Sequence, residues 1–210
     1  MGLKMTNGIE LITGLTNLVI MFTTLVVFFK IYKLNIKNKN SWILFYISIL
    51  IDSFLGFIIH TFLWPNFIID ILWIILSFIF CITLNSLLFT IIDKRNNEIF
   101  YIIISSILIY LILIIETIFR IDFLLTFIII ASLYLIAILL FYIHNFIKSC
   151  DKNYLFYILG LFLQMIGGLF LIIKPKFCYL ICFDKNGIYH LFMVMTIIFF
   201  YLGNKCFCKK

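Results

Sequence analysis

The sequence predicts an all-α, polytopic membrane protein in which residues 1–210 form a single bundle of seven transmembrane helices. Of its residues, 65% are hydrophobic and only 12% are charged, and the mean hydropathy is +1.24. Soluble domains are roughly 45–50% apolar and about 25% charged. A water-soluble fold of this length cannot bury so much apolar surface, which excludes a cytosolic globular protein. The aromatic content of 19% also excludes a disordered chain.

Seven apolar runs supply the predicted helices. They lie at about residues 8–31, 41–63, 67–91, 99–119, 122–147, 154–173 and 187–204. Each run is long enough to span, since an α-helix needs roughly 20 residues to cross about 30 Å of hydrocarbon. The count therefore predicts seven crossings and leaves no room for a separate soluble domain.

Charged or turn residues separate the runs in order. A lysine-rich segment follows the first run, a turn at Pro65 follows the second, and a basic pair beginning at Lys94 follows the third. Only a short charged break at Arg120 and Asp122 separates the fourth run from the fifth. Without that break the two runs would form one helix too long for a single crossing.

The distribution of Lys and Arg predicts the orientation in the membrane. Eleven of the 16 basic residues lie after the first, third and fifth runs or in the C-terminal tail. Cytoplasmic loops carry the excess of Lys and Arg, so the N-terminus is predicted outside and the C-terminus in the cytoplasm. The expected location is the bacterial inner (plasma) membrane. Because the positive charges are scattered over loops, membrane lipids are the expected partners and nucleic acid is not.

Five polar residues are predicted to lie in one layer near the outer face. They are Glu10, His60, Asp70, Asn186 and His190. His60 lies five residues before Pro65 and Asp70 five residues after it. At about 1.5 Å of rise per residue, both side chains reach the same depth on neighbouring antiparallel helices. Glu10 lies in the first turn of the first helix, and Asn186 and His190 share one face of the seventh.

This layer is expected to bind a divalent metal, and zinc is the metal that its donors suit. Imidazole is a ligand that zinc favours, and a catalytic zinc site keeps one position open for water. A nearby carboxylate can accept the proton of that water. The alternative interpretation is that polar residues in first turns cap the helices and meet lipid headgroups.

Other polar residues inside the runs have simpler interpretations. Asn85 and Gln164 are expected to form hydrogen bonds between helices. Glu116 and Arg120, four residues apart, are expected to form an ion pair near the membrane surface. Asp52 lies near the middle of the second run without an obvious basic partner. It is a buried neutral acid, a proton relay or a residue that faces lipid.

The ordered set of polar residues resembles the seven-helix superfamily of alkaline ceramidases and progestin/adiponectin-type receptors. That superfamily has Glu and a downstream Asn in the first helix, Ser-x-x-x-His in the second, Asp early in the third and His-x-x-x-His in the seventh. The matching residues are Glu10, Asn17, His60, Asp70, Tyr189 and His190. The order and topology match over the whole chain, detailed similarity covers about 40 residues, and small bacterial membrane proteins of the superfamily are most similar.

The resemblance implies a zinc ion held by His60 and His190, with Asp70 orienting the attacking water. It implies hydrolysis of a lipid amide or a related acyl lipid that enters laterally from the bilayer. Glu10, Asn17 and Tyr189 would form a supporting shell.

Two positions depart from the pattern of the superfamily. Asn186 stands where it has the first histidine of the last motif, and Gly56 stands where it has serine. Ser53, one turn before Gly56, is the candidate replacement for that serine as a catalytic residue. The third metal ligand would come from Asp70, Asp184 or Asn186.

Three functions are therefore open at the sequence level. The first is a zinc-dependent, ceramidase-like membrane hydrolase. The second is a non-enzymatic sensor or scaffold in which the polar layer only ties helices together. The third is a small transporter that uses Asp52 and Glu116, although the sequence lacks the inverted repeats and the helices broken by Gly or Pro that carriers usually show.

Overall fold

The computed structural model describes residues 8–92, 98–118, 123–173, 177–178 and 182–208. Its helices begin and end within three residues of the predicted runs. They are α1 (Gly8–Tyr32), α2 (Lys39–Thr61), α3 (Asn66–Phe89), α4 (Glu98–Ile118), α5 (Phe123–Ser149), α6 (Tyr154–Ile173) and α7 (Lys185–Phe207). The expected pair of Glu116 and Arg120 falls outside the described side chains.

Within the residues that the structure describes, a short hairpin is the one departure from an all-helical fold. Between α6 and α7, the two-residue strands β1 (Phe177–Cys178) and β2 (Cys182–Phe183) pair antiparallel. The sequence predicted only a connecting segment here, because a two-residue strand has no periodicity from which it can be recognised. The end of β2 lies next to the start of α7 and also contacts α1.

The helices confirm a multi-pass helical membrane protein. In the described part of the chain, α1, α2, α3, α5, α6 and α7 are long and apolar enough to cross a membrane. The described apolar run of α4, Ile99–Leu111, is shorter than a full span. Large apolar side chains cover the outside of the bundle; Phe22, Leu133 and Phe162, for example, are 58%, 62% and 56% exposed. Such a surface requires lipid rather than water as its solvent.

The first and last helices are neighbours in the bundle. Helix α1 packs against α2 and α7, and α7 packs in turn against α6. The start of α1, the end of α2 and the start of α7 therefore meet at one end of the bundle, called the upper end below. Gly14 permits this close approach, because a Cβ atom there would collide with the Thr61 hydroxyl of α2.

Aromatic side chains fill the core towards the lower end. Trp42 of α2 lies 5.8 Å from Tyr157 of α6 and 5.9 Å from Phe200 of α7, measured between ring centroids. Tyr142 of α5 stacks on Tyr157 at 4.5 Å with an angle of only 5° between the rings. Such pairs add to the area that they bury. This core fixes α2, α5, α6 and α7 relative to one another and leaves the polar residues to the upper end.

Candidate functional site

Asp184 starts the last helix and joins it to the first. It is the N-cap of α7, where its Oδ1 accepts the backbone N–H of Gly187 at 2.8 Å. The same oxygen accepts the hydroxyl of Thr13 from α1 at 2.7 Å. An N-cap carboxylate satisfies a helix N–H group that has no partner within the helix, and it also interacts favourably with the helix dipole. Asp184 therefore sets where α7 begins and which face α7 turns towards α1.

His190 lies one and a half turns into α7 and contacts the same face of α1. Its Nδ1 atom is 2.8 Å from the Thr16 hydroxyl oxygen. That hydroxyl is also 2.8 Å from the backbone oxygen of Thr13 and donates to it. A threonine hydroxyl has one proton. Since the Thr13 oxygen can only accept, the Nδ1–H of His190 donates to Thr16, and this network assigns the tautomer of the ring.

The tautomer leaves the second nitrogen of His190 with its lone pair. Neutral imidazole has one N–H group and one acceptor nitrogen, so a proton on Nδ1 makes Nε2 the acceptor. A histidine that binds a metal characteristically donates its other N–H to an oxygen nearby, which fixes the ring and raises its basicity. Thr16 makes this type of contact with His190.

His60 completes the group from the end of α2. It lies within electrostatic range of Glu10, Asp184 and His190. Its ring also meets the edge of Trp73 from α3, at 6.2 Å between centroids and 82° between planes. The residues that meet at the upper end form what we call the polar cluster: Glu10, Thr13, Thr16, His60, Asp184 and His190.

The structure places Asp70 apart from the polar cluster. Its side chain is exposed on α3, and within the described residues no hydrogen bond or ion pair connects it to His60 or His190. The sequence predicted a common depth for Asp70 and His60, but depth does not decide which way a helix face points. Its catalytic role stays a prediction without a contact in the structure.

Asn17 and Gly56 form a tight contact between α1 and α2. Asn17 is buried, and its Nδ2 donates to the backbone oxygen of Thr13 at 3.3 Å. A Cβ atom at Gly56 would lie only 2.9 Å from the Asn17 side-chain amide. A serine at this position, as in the superfamily that the chain resembles, would therefore collide with Asn17. The departure at Gly56 makes room for the buried amide.

Ser53 lies deeper than the polar cluster. It is buried on α2, seven residues before His60, which corresponds to about 10 Å along the helix axis. No hydrogen bond of its side chain appears among the described residues. The structure therefore shows no hydrogen bond between Ser53 and the polar cluster, and the catalytic role of Ser53 also stays a prediction.

Asn186 and Tyr189 lie beside the polar cluster on α7. Asn186 occupies the first turn and is partly exposed, and no hydrogen bond in the described part of the chain involves its side chain. The Tyr189 hydroxyl accepts from Gln164 Nε2 of α6 at 2.7 Å. Its ring lies 5.9 Å from the ring of His190. Tyr189 thus connects the histidine-bearing helix to α6 rather than contacting Thr16 or Asp184.

The polar cluster fits zinc in the kind of its donors. Two imidazoles and a carboxylate are ligand types of catalytic zinc sites, which leave the fourth position to water. Asp184 Oδ2 accepts no hydrogen bond from the described residues. However, those residues contain no group of three or more His, Cys, Asp or Glu side chains close enough to hold a metal ion. Binding would require the three donors to move closer together.

Sequence reasoning identified the two histidines and Glu10, but gave Thr13 and Thr16 no role. These threonines lie three residues apart on the α1 face that also carries Glu10 and Asn17, a spacing that places them on one side of a helix. Asp184 was only one of three possible ligands. Its position immediately before an apolar helix is the sequence signal of an N-cap.

Comparison with known protein families assigns this chain to one of them. No curated protein and no solved structure matches the chain. Residues 12–209, nearly the whole chain, match DUF6962, which is described as a family of unknown function. The match includes α2 and α7 in full and all of the polar cluster except Glu10. The chain therefore belongs to the DUF6962 family.

Proposed function

We propose that this protein is a zinc-dependent membrane hydrolase that cleaves a lipid amide or a related acyl lipid. The observation that carries the proposal is the Nε2 atom of His190, whose lone pair is left available by the Thr16 contact, in a ring within electrostatic range of His60 and Asp184. The ordered resemblance to the ceramidase and receptor superfamily supports the reaction class. The surrounding lipid-facing surface supports a substrate that enters from the bilayer.

His60, His190 and Asp184 would hold the metal. When bound, zinc would supply Lewis-acid activation of a water molecule. Thr16 keeps the proton of His190 on Nδ1, so that the lone pair of Nε2 would be available to coordinate the metal. Thr13 holds Oδ1 of Asp184 and leaves Oδ2 for coordination. Glu10, the remaining carboxylate, is exposed at the start of α1 and is the proposed proton acceptor.

The proposal also places the chain in the membrane. The bundle would cross the membrane seven times, with the upper end and the N-terminus outside and the C-terminus in the cytoplasm. The excess of basic residues after the first, third and fifth helices and in the tail supports this orientation. The expected membrane is the bacterial plasma membrane. The polar cluster would then lie at the level of the outer lipid headgroups.

Metal content tests the proposal directly. Purified protein is expected to contain close to one equivalent of zinc by elemental analysis. His60→Ala, His190→Ala and Asp184→Asn should each lose it. His144→Ala is the matched control, because His144 is the only other histidine and is exposed on α5. Wild-type protein that binds no zinc after purification and zinc addition would overturn the metal site.

Activity separates the enzyme from a metal site alone. The wild-type protein, in lipid nanodiscs, should release fatty acid from acyl-amide or acyl-ester lipids, and His60→Ala and His190→Ala should not. Glu10→Gln should retain zinc and lose turnover, because it removes only the proposed proton acceptor. Stoichiometric zinc without release of fatty acid from either lipid class would contradict the hydrolase and leave a metal-binding protein.

A second candidate is a non-enzymatic sensor or scaffold. Two side-chain hydrogen bonds, from Thr13 to Asp184 and between Thr16 and His190, connect α1 to α7. These bonds have a structural role whether or not metal binds, and such contacts between membrane helices typically contribute about 0.6 kcal/mol. If the second candidate is correct, variants of these residues lower thermal stability, while zinc and lipid hydrolysis are absent from the wild-type protein.

A further inference from the structure

A second polar site lies near the middle of the bundle, at Asp52 of α2. Asp52 is the fourteenth of the 23 residues of α2. Its Oδ1 atom is buried and has no hydrogen-bond partner, and its Oδ2 atom lies 3.4 Å from the Thr83 hydroxyl of α3. The carboxyl group thus points into the bundle, which excludes the lipid-facing interpretation of Asp52.

The hydrogen-bond geometry around Thr83 bears on whether Asp52 carries a proton. Thr83 Oγ1 lies 3.0 Å from the Ile79 backbone oxygen and 3.4 Å from Asp52 Oδ2, and its one proton can serve only one of these acceptors, of which the backbone oxygen is the nearer. A hydroxyl that donates to an ionised carboxylate forms a bond of roughly 2.5–2.7 Å, much shorter than the 3.4 Å contact. With its proton on the nearer backbone oxygen, Thr83 can accept a hydrogen bond from Asp52, and a protonated Asp52 would supply the proton between them.

The charges around Asp52 agree with this assignment. The titratable groups within its electrostatic range are Cys81 of α3 and Tyr189 of α7, both of which are neutral acids in their ordinary form. The described residues give Asp52 no ion pair with Lys, Arg or His. An unpaired carboxylate in the interior of a membrane protein is costly, and protonation removes that cost.

We propose that Asp52 is a proton-binding site in the interior of the bundle, a neutral carboxylic acid that donates from Oδ2 to Thr83 and exchanges its proton, by way of the Thr83 hydroxyl, with water in a cavity that Thr83 lines. Protonation also explains the unpartnered Oδ1, because an uncharged carbonyl oxygen without a hydrogen bond is much less costly than a carboxylate oxygen. The ligand of this site is a proton, supplied and removed by water.

The cavity lies beside Thr83 and between α2, α3, α6 and α7. Its volume is about 40 Å³, counted as the space open to the centre of a water-sized sphere. A water molecule needs roughly 10–15 Å³ on this measure, so the cavity has room for two or three. Its polar lining residues are Thr83, Gln164 and Thr196, and Oε1 of Gln164 is buried without a partner. Water in the cavity would donate to that oxygen.

The lining favours a proton over a metal cation at this site. The remaining lining residues are apolar: Phe45, Ile49, Phe80, Leu84, Leu87, Leu135, Met193, Ile197 and Phe200. Hard cations require about six oxygen ligands, and the cavity offers three polar side chains. A proton needs only the carboxyl group itself and one acceptor, which Thr83 supplies.

Infrared difference spectroscopy tests the protonation state. Wild-type protein in nanodiscs at neutral pH should show the carbonyl-stretch band of a protonated carboxylic acid, and Asp52→Asn should lack it. Asp70→Asn, which changes an exposed aspartate of α3, is the matched control and should retain the band. Asp52→Asn keeps a carbonyl oxygen and a donor group towards Thr83, so it should fold as the wild type does.

Transfer into D₂O tests the role of the cavity. The Asp52 band should shift to lower frequency within minutes in folded protein, because cavity water exchanges its proton. A band that shifts only on unfolding would overturn the proposed exchange with water.

Three further results would overturn the proposal that Asp52 is protonated. They are the absence of an acid band at neutral pH, its loss in Asp70→Asn, and an acid band that appears only when Na⁺ and K⁺ are replaced by a large organic cation. The last result would show that a monovalent cation normally occupies the site. If Asp52→Asn does not fold, wild-type protein with ¹³C-labelled aspartate carboxyl groups replaces the comparison with that variant. An isotope shift of the band then assigns it to one of the six aspartates.

Discussion

The hydroxyl of Thr16 and Nδ1 of His190 lie 2.8 Å apart although 174 residues separate them in the sequence. Thr16 gives its own proton to the backbone of Thr13, so it accepts from His190 and determines the tautomer of the ring. A threonine in a largely apolar helix therefore controls which nitrogen of a distant histidine is available for chemistry.

Replacement of Thr16 by valine tests this control. Valine has the shape of threonine but cannot accept a hydrogen bond, so His190 should lose its preference for a proton on Nδ1. ¹⁵N NMR of histidine-labelled protein, assigned by comparison with His190→Ala, reports the tautomer directly. Zinc affinity, measured by titration calorimetry, should fall about 10–100-fold, as for other residues that orient a metal-binding histidine.

Thr16→Ser is the matched control, because serine retains the hydroxyl. It should preserve both the tautomer and the affinity for zinc. An unchanged tautomer in Thr16→Val would contradict the role of Thr16, whereas a changed tautomer without zinc binding would leave that role intact and count only against the metal site.

Replacement of Asp184 separates its structural from its chemical role. Asp184→Ala removes the N-cap of α7 and the Thr13 contact, and it should destabilise the folded protein by about 1 kcal/mol. Asp184→Asn retains an oxygen that can accept from Gly187 and Thr13, so it should cost much less stability while removing the charged ligand. Thermal unfolding and zinc content, measured on the same samples, distinguish the two effects.

A double variant tests whether Thr13 acts through Asp184. Thr13→Val alone should lower the melting temperature, but it should have little further effect when combined with Asp184→Ala, because residues that share one hydrogen bond are not additive. Full additivity of the two changes would show that the Thr13 hydroxyl contributes to stability by another route.

Gly56→Ser, which introduces the residue that the resemblance would lead one to expect, should be destabilising. The new Cβ atom would lie 2.9 Å from the Asn17 amide, so Asn17 must give up its buried position. The expected loss is about 1–3 kcal/mol, the range of overpacked cores. Reversible unfolding in mixed micelles measures it, and the additional change Asn17→Ala should recover much of the loss.

Gly168→Ala controls for the effect of replacing any glycine in a helix. A Cβ atom at Gly168 of α6 meets nothing within 4 Å. Because alanine favours the helix more than glycine does, this variant should be as stable as the wild type or more stable, by up to about 1 kcal/mol. Equal losses in Gly56→Ser and Gly168→Ala would argue against the collision with Asn17.

Asp70→Asn tests the prediction that the resemblance makes for α3. The structure leaves Asp70 exposed and without a described contact to either histidine, so the variant should keep its zinc and its melting temperature. Fatty-acid release that falls sharply in Asp70→Asn, at unchanged zinc content, would show that Asp70 joins the site when substrate is bound.

The helices were predictable because run length alone nearly decides them. Each apolar run that could span a bilayer became a helix with ends within three residues of those expected. In lipid the backbone must satisfy its own hydrogen bonds, which leaves a long apolar run few alternatives to an α-helix. The hairpin at Phe177–Cys178 and Cys182–Phe183 carries no comparable signal.

Counting residues along a helix predicts the depth of a side chain but not the direction in which it points. Counting residues from the ends of the helices placed His60, Asp70 and His190 in one layer. Whether a side chain faces its neighbour depends on the rotation of each helix, which packing at positions such as Gly14 and Gly56 determines. The sequence therefore predicted a common layer for the two histidines, whereas the hydrogen bonds that Asp184 accepts from Thr13 and Gly187 are visible only in the packed bundle.

The joining of α1 to α7 has a consequence for the order of assembly. Membrane helices are synthesised from the N-terminus onward, and Thr13 and Thr16 are made about 170 residues before their partners. The polar cluster can therefore close only after Asp184 and His190 have emerged from the ribosome. A chain that stops before Asp184 lacks two of the six residues of the polar cluster, however well its earlier helices insert. The contact between the two ends of the sequence thus distinguishes a completed protein from a truncated one.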